Sequence, residues 1–230
     1  MSETTLTEQI SVPVTVSAKG VLFDMDGVLI SSIGSVVRCW RRWAQMYDVP
    51  NADSYVVPHG VRAIEIVKSL RPDIDPAEGL KVIEDMEMLD TADLVVLPGV
   101  RELLTSLPPE RWAIVTSATS RLLLGRLEAA GLPIPERIIS ADMVERGKPD
   151  PEPYRRGAEL LGFAPSECIV VEDAPSGVGA GIAAGCKVLA VLGTHSLEEL
   201  HAASWVAESL VGLKVAASAD GLELKFSSLR

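Results

Sequence analysis

The chain has 230 residues, of which 47% are hydrophobic, enough for one large domain or for a domain with an insertion. Its net charge of −11 at pH 7 would repel nucleic acid and anionic membranes, so we expect neither as a partner. No stretch reaches the roughly 18 consecutive apolar residues that a membrane-spanning helix needs. The polar start does not fit a secretory signal. The 3 scattered cysteines are typical of reduced thiols, so we expect a cytoplasmic protein.

Residues 1–19 form a polar leader in which Val14–Val16 has the pattern of a short edge strand. The next segment, Val21–Phe23, is apolar, as in a central parallel strand, and it leads directly into Asp24 and Asp26. Two carboxylates at the end of a buried strand are costly unless something pairs them. A divalent cation and a reacting phosphate would pair them, whereas a plain strand followed by an Asp-Gly turn would need neither. Residues further along the chain decide between these interpretations.

Helical spacing of apolar residues predominates after this first strand. The predicted helices are Ser35–Tyr47, Val61–Leu70 and Pro76–Leu89. Asp75 is expected to cap the third helix, which starts with proline. No segment between Ser32 and Asp93 has the pattern of a strand. We therefore predict a helical domain at residues 33–94, inserted into a core formed by residues 1–32 and 95–230.

Strand and helix patterns alternate from Pro98 onward. The predicted strands are Trp112–Thr116, Arg137–Ile139, Cys168–Glu172 and Lys187–Val191. The predicted helices are Val100–Leu107, Ser120–Ala130, Pro151–Leu161, Ser176–Ala184 and Leu197–Ala202. This alternation predicts an α/β fold with a doubly wound parallel sheet, whose ligand lies at the carboxyl ends of the strands. Residues 208–226 have two short alternating runs that predict a terminal hairpin.

Polar side chains end the predicted strands or lie in a turn between them. These side chains are Thr116, Ser117, Lys148, Glu172 and Asp173. In a parallel sheet they gather with Asp24 and Asp26 at one edge. Carboxylates suit Mg²⁺, which prefers oxygen ligands, whereas a hydroxyl, backbone amides and a lysine suit phosphate oxygens. The pattern predicts a joint site for a metal ion and a phosphate group.

Four motifs in this order resemble the haloacid dehalogenase (HAD) superfamily, whose members are mostly Mg²⁺-dependent phosphatases. They are the D-x-D-G that starts at Asp24, the strand-ending Thr116, the lysine of GKPDPEPY and the acidic pair of VVEDAPSG. The resemblance covers residues 20–230, and the helical insert resembles the small α-helical cap of the family. The strings VPHGVR, WAIVTSAT, GKPDPEPY and VEDAPSGVGAG resemble sugar phosphatases of the 2-deoxyglucose-6-phosphatase and glycerol-3-phosphatase type. Val28 departs from the Thr that glycerol-3-phosphatases usually carry.

The resemblance implies a role for each matching residue. Asp24 would be the nucleophile that forms an aspartyl-phosphate, and Asp26 the general acid and then the general base. The implied phosphate-binding groups are Thr116, the Ser117 amide and Lys148. The implied ligands of Mg²⁺ are Asp24, the Asp26 carbonyl, Asp173 and, assisting, Glu172.

The helical insert offers candidates for contact with the substrate. An H-G-x-R string shared with the subgroup singles out His59 and Arg62, with ordinary surface residues of a cap as the alternative. Trp40 and Trp43 fit a cap core better than a platform for sugar stacking. The G-x-G-x-G that starts at Gly177 lacks the third glycine of a dinucleotide site. Close packing of a helix on the sheet is therefore the preferred interpretation of these glycines.

Together these observations predict a cytoplasmic Mg²⁺-dependent phosphatase that acts as a monomer or a dimer on a small phosphorylated sugar or polyol. The alternative enzyme is a sugar phosphomutase of the β-phosphoglucomutase type, which would share all four motifs and differ in how its cap admits water. A binding module without activity is a third hypothesis. The intact candidate residues argue against it, and turnover of p-nitrophenyl phosphate would exclude it.

Overall fold

The computed structural model describes residues 11–229. In chain order, its strands are Val12–Ala18 (β1), Gly20–Phe23 (β2), Ile30–Ser31 (β3), Val95–Val96 (β4), Trp112–Val115 (β5), Ile138–Ile139 (β6), Cys168–Glu172 (β7), Lys187–Val191 (β8), Trp205–Ala207 (β9), Lys214–Ser218 (β10) and Gly221–Ser228 (β11). Its α-helices are Ile33–Met46 (α1), Ala63–Leu70 (α2), Pro76–Leu89 (α3), Val100–Ser106 (α4), Ser120–Ala130 (α5), Glu152–Leu161 (α6) and Pro175–Ala184 (α7).

Six strands form a parallel sheet in the order β6-β5-β2-β7-β8-β9, which confirms the predicted doubly wound fold. The chain first extends the sheet on one side of β2 with β5 and β6. It then crosses over and extends the other side with β7, β8 and β9. The strand order therefore reverses at β2, and in such sheets a ligand binds at the carboxyl ends beside this reversal. Asp24 directly follows β2, at that position.

The central strands are buried on both faces, which explains their continuous apolar sequences. Successive residues of β2 point to opposite faces of the sheet. Val21 and Phe23 pack with α4, α5 and the C-terminal strands, and Leu22 packs with α6 and α7. Gly181 of α7 has no room for a side chain, because a Cβ there would lie 2.8 Å from Val188. The glycines of α7 thus allow close packing on the sheet, as predicted.

The two ends of the chain meet in a second sheet, where β11 pairs antiparallel with both β1 and β10. This confirms the predicted terminal hairpin and places the predicted edge strand within β1. The predicted helix Leu197–Ala202 is wrong, because this segment forms turns. Such a short run gives few helical hydrogen bonds against the cost of starting a helix. Residues 1–10 of the predicted leader lie outside the described part of the chain.

The segment between β3 and β4 is helical, as predicted, and forms an α-helical cap with its own hydrophobic core. Trp40 and Trp43 are buried in that core, as predicted, and the Trp43 indole donates a 2.9 Å hydrogen bond to the Gly79 carbonyl. Asp75 caps α3 by accepting a 2.9 Å hydrogen bond from the Ala77 amide, also as predicted. The chain enters and leaves the cap through the short antiparallel pair of β3 and β4. Within residues 11–229, no helix combines the length and the apolar character needed to cross a membrane.

Candidate active site

A buried ion triad lies at the carboxyl ends of β2 and β7. The Lys148 ammonium donates 2.7 Å hydrogen bonds to Asp24 Oδ1 and to Glu172 Oε1. Asp24 follows β2, Glu172 ends β7, and Lys148 lies in the turn before α6. The Lys148 side chain is only 1% exposed, so almost no water separates these charges. The structure thus brings together three of the residues that the motifs singled out.

Glu172 is held by more partners than any other acid of this edge. Its Oε1 also accepts a 2.9 Å hydrogen bond from the Tyr154 hydroxyl. Its Oε2 accepts hydrogen bonds from the backbone amides of Asp173 and Ala174, at 2.8 and 3.0 Å. A Cβ at Gly177 would lie 1.6 Å from Glu172 Oε1, so the approach of this carboxylate to α7 requires glycine. The four hydrogen bonds fix Glu172 in one position.

Asp173 is the third buried acid, and one carboxylate oxygen of each of Asp24, Glu172 and Asp173 lies within 4.8 Å of the others. Its Oδ2 accepts a short hydrogen bond from the Thr194 hydroxyl. His195 Nδ1 lies 3.1 Å from the Asp173 carbonyl oxygen. The loop that carries Thr194 and His195 therefore contacts both the side chain and the backbone of Asp173. A Cβ at Gly27 would lie 1.9 Å from Asp173 Oδ2, and Gly27 has a φ of +80°. Glycine is therefore required there for both space and conformation.

The electrostatics of this edge favour a divalent cation. Burial raises the pKa of Asp24 to about 7, against the opposing charge of Lys148. Burial and the charge of Glu172 raise the pKa of Asp173 to about 8. Burial alone would lower the pKa of Lys148, but the charges of Asp24 and Glu172 outweigh it and raise that pKa. Three carboxylates against one ammonium leave two negative charges when all are ionised, and oxygen donors of this kind suit Mg²⁺.

Asp26 takes no part in the hydrogen bonds of the triad and has two partners of its own. Its Oδ1 accepts a 3.0 Å hydrogen bond from the Ser32 hydroxyl, and its Oδ2 accepts a 2.6 Å hydrogen bond from Arg126 Nη1. Arg126 projects from α5 and is almost fully buried. Asp24 and Asp26 both line one cavity, which lies between the core and the cap.

Arg126 also contacts Glu87 of α3, with Nη2 donating a 3.1 Å hydrogen bond to Glu87 Oε2. Burial raises the pKa of Glu87 to about 7, and the charge of Arg126 opposes this shift. For Arg126, burial would lower the pKa, but the charges of Asp26 and Glu87 raise it. Arg126 therefore stays charged between two carboxylates, one from the core and one from the cap.

The structure places Thr116 and Ser117 at the end of β5, where both line the cavity. The Thr116 hydroxyl accepts a 3.1 Å hydrogen bond from the Ala118 amide. The Ser117 hydroxyl donates a 2.8 Å hydrogen bond to the carbonyl of Gly60 in the cap. Only the Ser117 backbone was predicted to take part, and its side chain joins the core to the cap.

The two cap candidates occupy different positions. His59 lines the cavity, and its ring contacts the edge of the His195 ring at a centroid distance of 6.1 Å. Burial lowers the pKa of His59, as does its neighbour His195. Arg62 is not among the residues that line the cavity. Its guanidinium donates 3.1 Å hydrogen bonds to the core carbonyls of Val144 and Glu145, so it joins the cap to the core.

Sequence reasoning missed Arg126, Glu87 and Thr194. Arg126 carried one usable signal, since helical spacing puts it on the same buried face of α5 as Leu122, Leu123 and Leu127. Glu87 lies on the buried face of α3 with Ile83, which is equally unusual for an acid. Thr194 lies in a loop after β8 and carried no comparable signal.

Comparison with known proteins agrees with this geometry. The family model of haloacid dehalogenase-like hydrolases matches residues 18–185, and the chain therefore belongs to this family. Hexitol phosphatase A of Escherichia coli is 39% identical over 208 residues, which cover 88% of this chain and 96% of that protein. Glycerol-1-phosphate phosphohydrolase 2 of Saccharomyces cerevisiae is 32% identical over 200 residues, which cover 82% of this chain and 80% of that protein.

Among solved structures, β-phosphoglucomutase from Clostridium difficile superposes with a TM-score of 0.72. The match covers 86% of this chain and 93% of the mutase chain, at 20% identity. At that identity the likeness concerns the fold, and the fold is shared between phosphatases and mutases.

Proposed function

We propose that this protein is a Mg²⁺-dependent phosphatase that hydrolyses small sugar or polyol phosphates through an aspartyl-phosphate intermediate. The observation that carries the proposal is the Asp24 carboxylate, held 2.7 Å from Lys148 where the cavity meets the core. The curated relatives support the substrate class, because they are named for hexitol phosphate and for glycerol phosphate.

In the first step, Asp24 attacks phosphorus, a carboxylate–phosphorus bond forms, and the bond from phosphorus to the leaving oxygen breaks. Lys148 holds Asp24 Oδ1, which leaves Oδ2 without that bond. Asp26 gives its proton to the leaving oxygen, and the alcohol departs. In the second step, Asp26 takes a proton from water, which attacks phosphorus and releases inorganic phosphate and free Asp24.

Asp24 and Asp173 would hold the Mg²⁺ ion, together with the Asp26 carbonyl. The donor set fits, since two buried carboxylates with raised pKa values gain a partner that favours their ionised form. When bound, the ion supplies positive charge to the phosphoryl oxygens. Glu172 would act less as a ligand than as the residue that positions Lys148, because its oxygens already accept four hydrogen bonds. Lys148, the Thr116 hydroxyl and the Ser117 amide would bind phosphoryl oxygens.

A phosphomutase is the second candidate, favoured only by the shared fold. A mutase passes through a bisphosphate and must hold one phosphate at the far end of the cavity while the other reacts. Among the described residues, the cap lines the cavity without a lysine or an arginine. A second phosphate would therefore find no cation of the cap to bind it, which supports the phosphatase.

The test is a panel of sugar and polyol phosphates assayed for release of inorganic phosphate, with Mg²⁺ and with a chelator. We expect hydrolysis with Mg²⁺ and loss of activity in the chelator. β-Glucose 1-phosphate with a trace of the 1,6-bisphosphate is the decisive sample for the alternative. Glucose 6-phosphate that accumulates faster than inorganic phosphate would make the protein a mutase.

We also propose that the cap comprises residues 33–94 and the core residues 1–32 and 95–230, because the pairing of β3 with β4 ends beside both boundaries.

We further propose that the protein acts in the cytoplasm on a small phosphorylated partner. Three free, buried cysteines support this location. A monomer or a dimer stays a prediction, which light scattering would test.

A further inference from the structure

Glu87 is the one acidic residue that the cap contributes to the cavity, among the residues that the structure describes. The other cap residues there are mostly apolar, with His59 as the polar exception. They include Ile33, Val36, Trp40, Val57, Val61 and Ile66. The cap thus presents apolar side chains, the His59 imidazole and one carboxylate to whatever part of a substrate lies beyond the phosphate.

The cation nearest to this carboxylate is already engaged. Arg126 is the only lysine or arginine among the described residues that line the cavity. Its guanidinium is shared by Asp26 at 2.6 Å and Glu87 at 3.1 Å. The side chains of Arg126 and Glu87 are 8% and 7% exposed, so water screens these charges little. Even while Asp26 carries the proton for the leaving oxygen, the guanidinium stays paired with the Glu87 carboxylate, so it has no surplus positive charge to offer to a further anion.

We propose that Glu87, oriented by Arg126, determines which phosphate esters this site accepts. Its carboxylate accepts hydrogen bonds from the hydroxyl groups of an uncharged tail and repels a tail that ends in a carboxylate or a second phosphate. The inference rests on the proposed phosphatase function. A carboxylate has about four lone-pair positions, so hydroxyl donors can use those that Arg126 and the Trp40 side chain leave. An anionic tail would bring like charge against Glu87 in a poorly hydrated site, where repulsion is strong. The apolar cap side chains would contact the C–H groups of the same tail.

Two pairs of esters test this inference directly. The first pair is glycerol 3-phosphate and 3-phosphoglycerate, and the second is glucitol 6-phosphate and 6-phosphogluconate. In each pair the first ester has a hydroxymethyl group far from the phosphate, where the second has a carboxylate. The assay is run at pH 8, above the Glu87 pKa of about 7. We expect the wild type to prefer the neutral member of at least one pair by about tenfold or more in kcat/KM. In Glu87→Gln, which keeps the shape and removes the charge, that preference should fall about tenfold, or about 1.4 kcal/mol.

Glu84→Gln is the matched control. Glu84 lies one turn earlier on α3, is buried to the same extent, and also contacts α5, through Thr119 and Arg121. It does not line the cavity. The neutral-to-anionic preference of Glu84→Gln should therefore equal that of the wild type.

The outcomes separate the inference from the function on which it rests. If the wild type hydrolyses no sugar or polyol phosphate, the proposed function and this inference both fail. If it hydrolyses them but accepts both members of each pair equally, only the inference fails. The inference also fails if Glu87→Gln leaves the preference unchanged or if Glu84→Gln shifts it equally. If turnover of Glu87→Gln is too slow to measure, each of the four esters can be tested as an inhibitor of p-nitrophenyl phosphate hydrolysis. The ratio of the two inhibition constants within a pair then replaces the ratio of kcat/KM values.

Discussion

The two ends of the cavity hold their charges in different ways. At the phosphoryl end, the triad of Asp24, Lys148 and Glu172 is bonded entirely within the core. At the other end, Glu87 comes from the cap and Arg126 from the core, so their ion pair forms only while the two are packed together. The core alone therefore holds the triad in place, whereas under our proposal the choice of substrate depends on where the cap lies. Four measurements test this division between core and cap.

Asp24→Asn should reduce kcat for every phosphate ester by about 10⁴-fold or more, because an amide cannot form the aspartyl-phosphate. The free energy of unfolding in a chelator should not fall, since the substitution removes a buried carboxylate whose pKa is raised. Steady-state kinetics and urea unfolding measure the two quantities. Asp142→Asn is the control, because Asp142 lies in the core outside the cavity and the activity of this variant should match the wild type. A substantial fraction of activity retained by Asp24→Asn would contradict the nucleophile assignment.

Lys148→Met should lower the free energy of unfolding by about 3–5 kcal/mol, because it leaves Asp24 and Glu172 buried without their cation. Turnover should also fall for all substrates, since the phosphoryl oxygens lose a charged donor. Lys81→Met is the control for the same substitution at an exposed ion pair, where water screens the charges and the loss should be much smaller than at Lys148. Equal losses in the two variants would show that the triad does not stabilise the core.

The stability of the metal-free protein should fall as the pH rises. Asp24 and Asp173 have pKa values raised in the folded state to about 7 and about 8. A raised carboxyl pKa gives stability that is present below the unfolded value of about 4 and is lost through the folded value. Above pH 5 the folded protein keeps the Asp24 proton for about two pH units and the Asp173 proton for about three. At about 1.4 kcal/mol per unit, we expect a loss of up to about 7 kcal/mol between pH 5 and 8 in a chelator.

Added Mg²⁺ should abolish most of this loss, since the ion binds the ionised carboxylates. Urea unfolding followed by tryptophan fluorescence at the two pH values measures it. In Asp173→Asn the loss in the chelator should be smaller, because one of the two acids no longer titrates. A stability that is flat from pH 5 to 8 without metal would contradict the burial of these charges.

Arg62→Ala should raise KM for the sugar or polyol phosphate by about three- to tenfold and spare p-nitrophenyl phosphate. The reason is that Arg62 joins the cap to the carbonyls of Val144 and Glu145, so its loss misplaces the cap. Arg71→Ala is the control, since Arg71 bonds to Asp73 within the cap. An increase in KM of about a hundredfold or more would indicate that Arg62 contacts the substrate itself.

The clustering of Asp24, Lys148 and Glu172 could be predicted from the sequence for a physical reason. Asp24 and Thr116 follow short apolar strands, Glu172 ends one, and a parallel sheet collects such strand ends at one edge. The spacing of Asp24, Thr116 and Glu172 behind their strands therefore carries three-dimensional information. Tyr154 was present in the GKPDPEPY string, but nothing local indicated that its hydroxyl would reach Glu172.

The cap end could not be predicted in the same way. Arg126 and Glu87 are 39 positions apart, and the pairing depends on how α3 packs on α5. Periodicity places each residue on a buried helix face but does not tell which helix it meets. Arg62 was singled out as a candidate for contact with the substrate, whereas its contact with the carbonyl of Val144 depends on a loop with no sequence signature. The turn at 197–202 was missed because its length lies at the limit where helices form.

The shared guanidinium of Arg126 limits how this protein can be recombined with its relatives. The short pair of β3 and β4 offers convenient points at which to exchange one cap for another in a chimera. A foreign cap without an acid at the place of Glu87 would leave one side of a buried arginine unpaired, at a cost of about 3–5 kcal/mol. Residues 87 and 126 must therefore be exchanged together. In a library of caps that ignores this pairing, many members would fail to fold, and they would have to be removed before the rest could be screened for specificity.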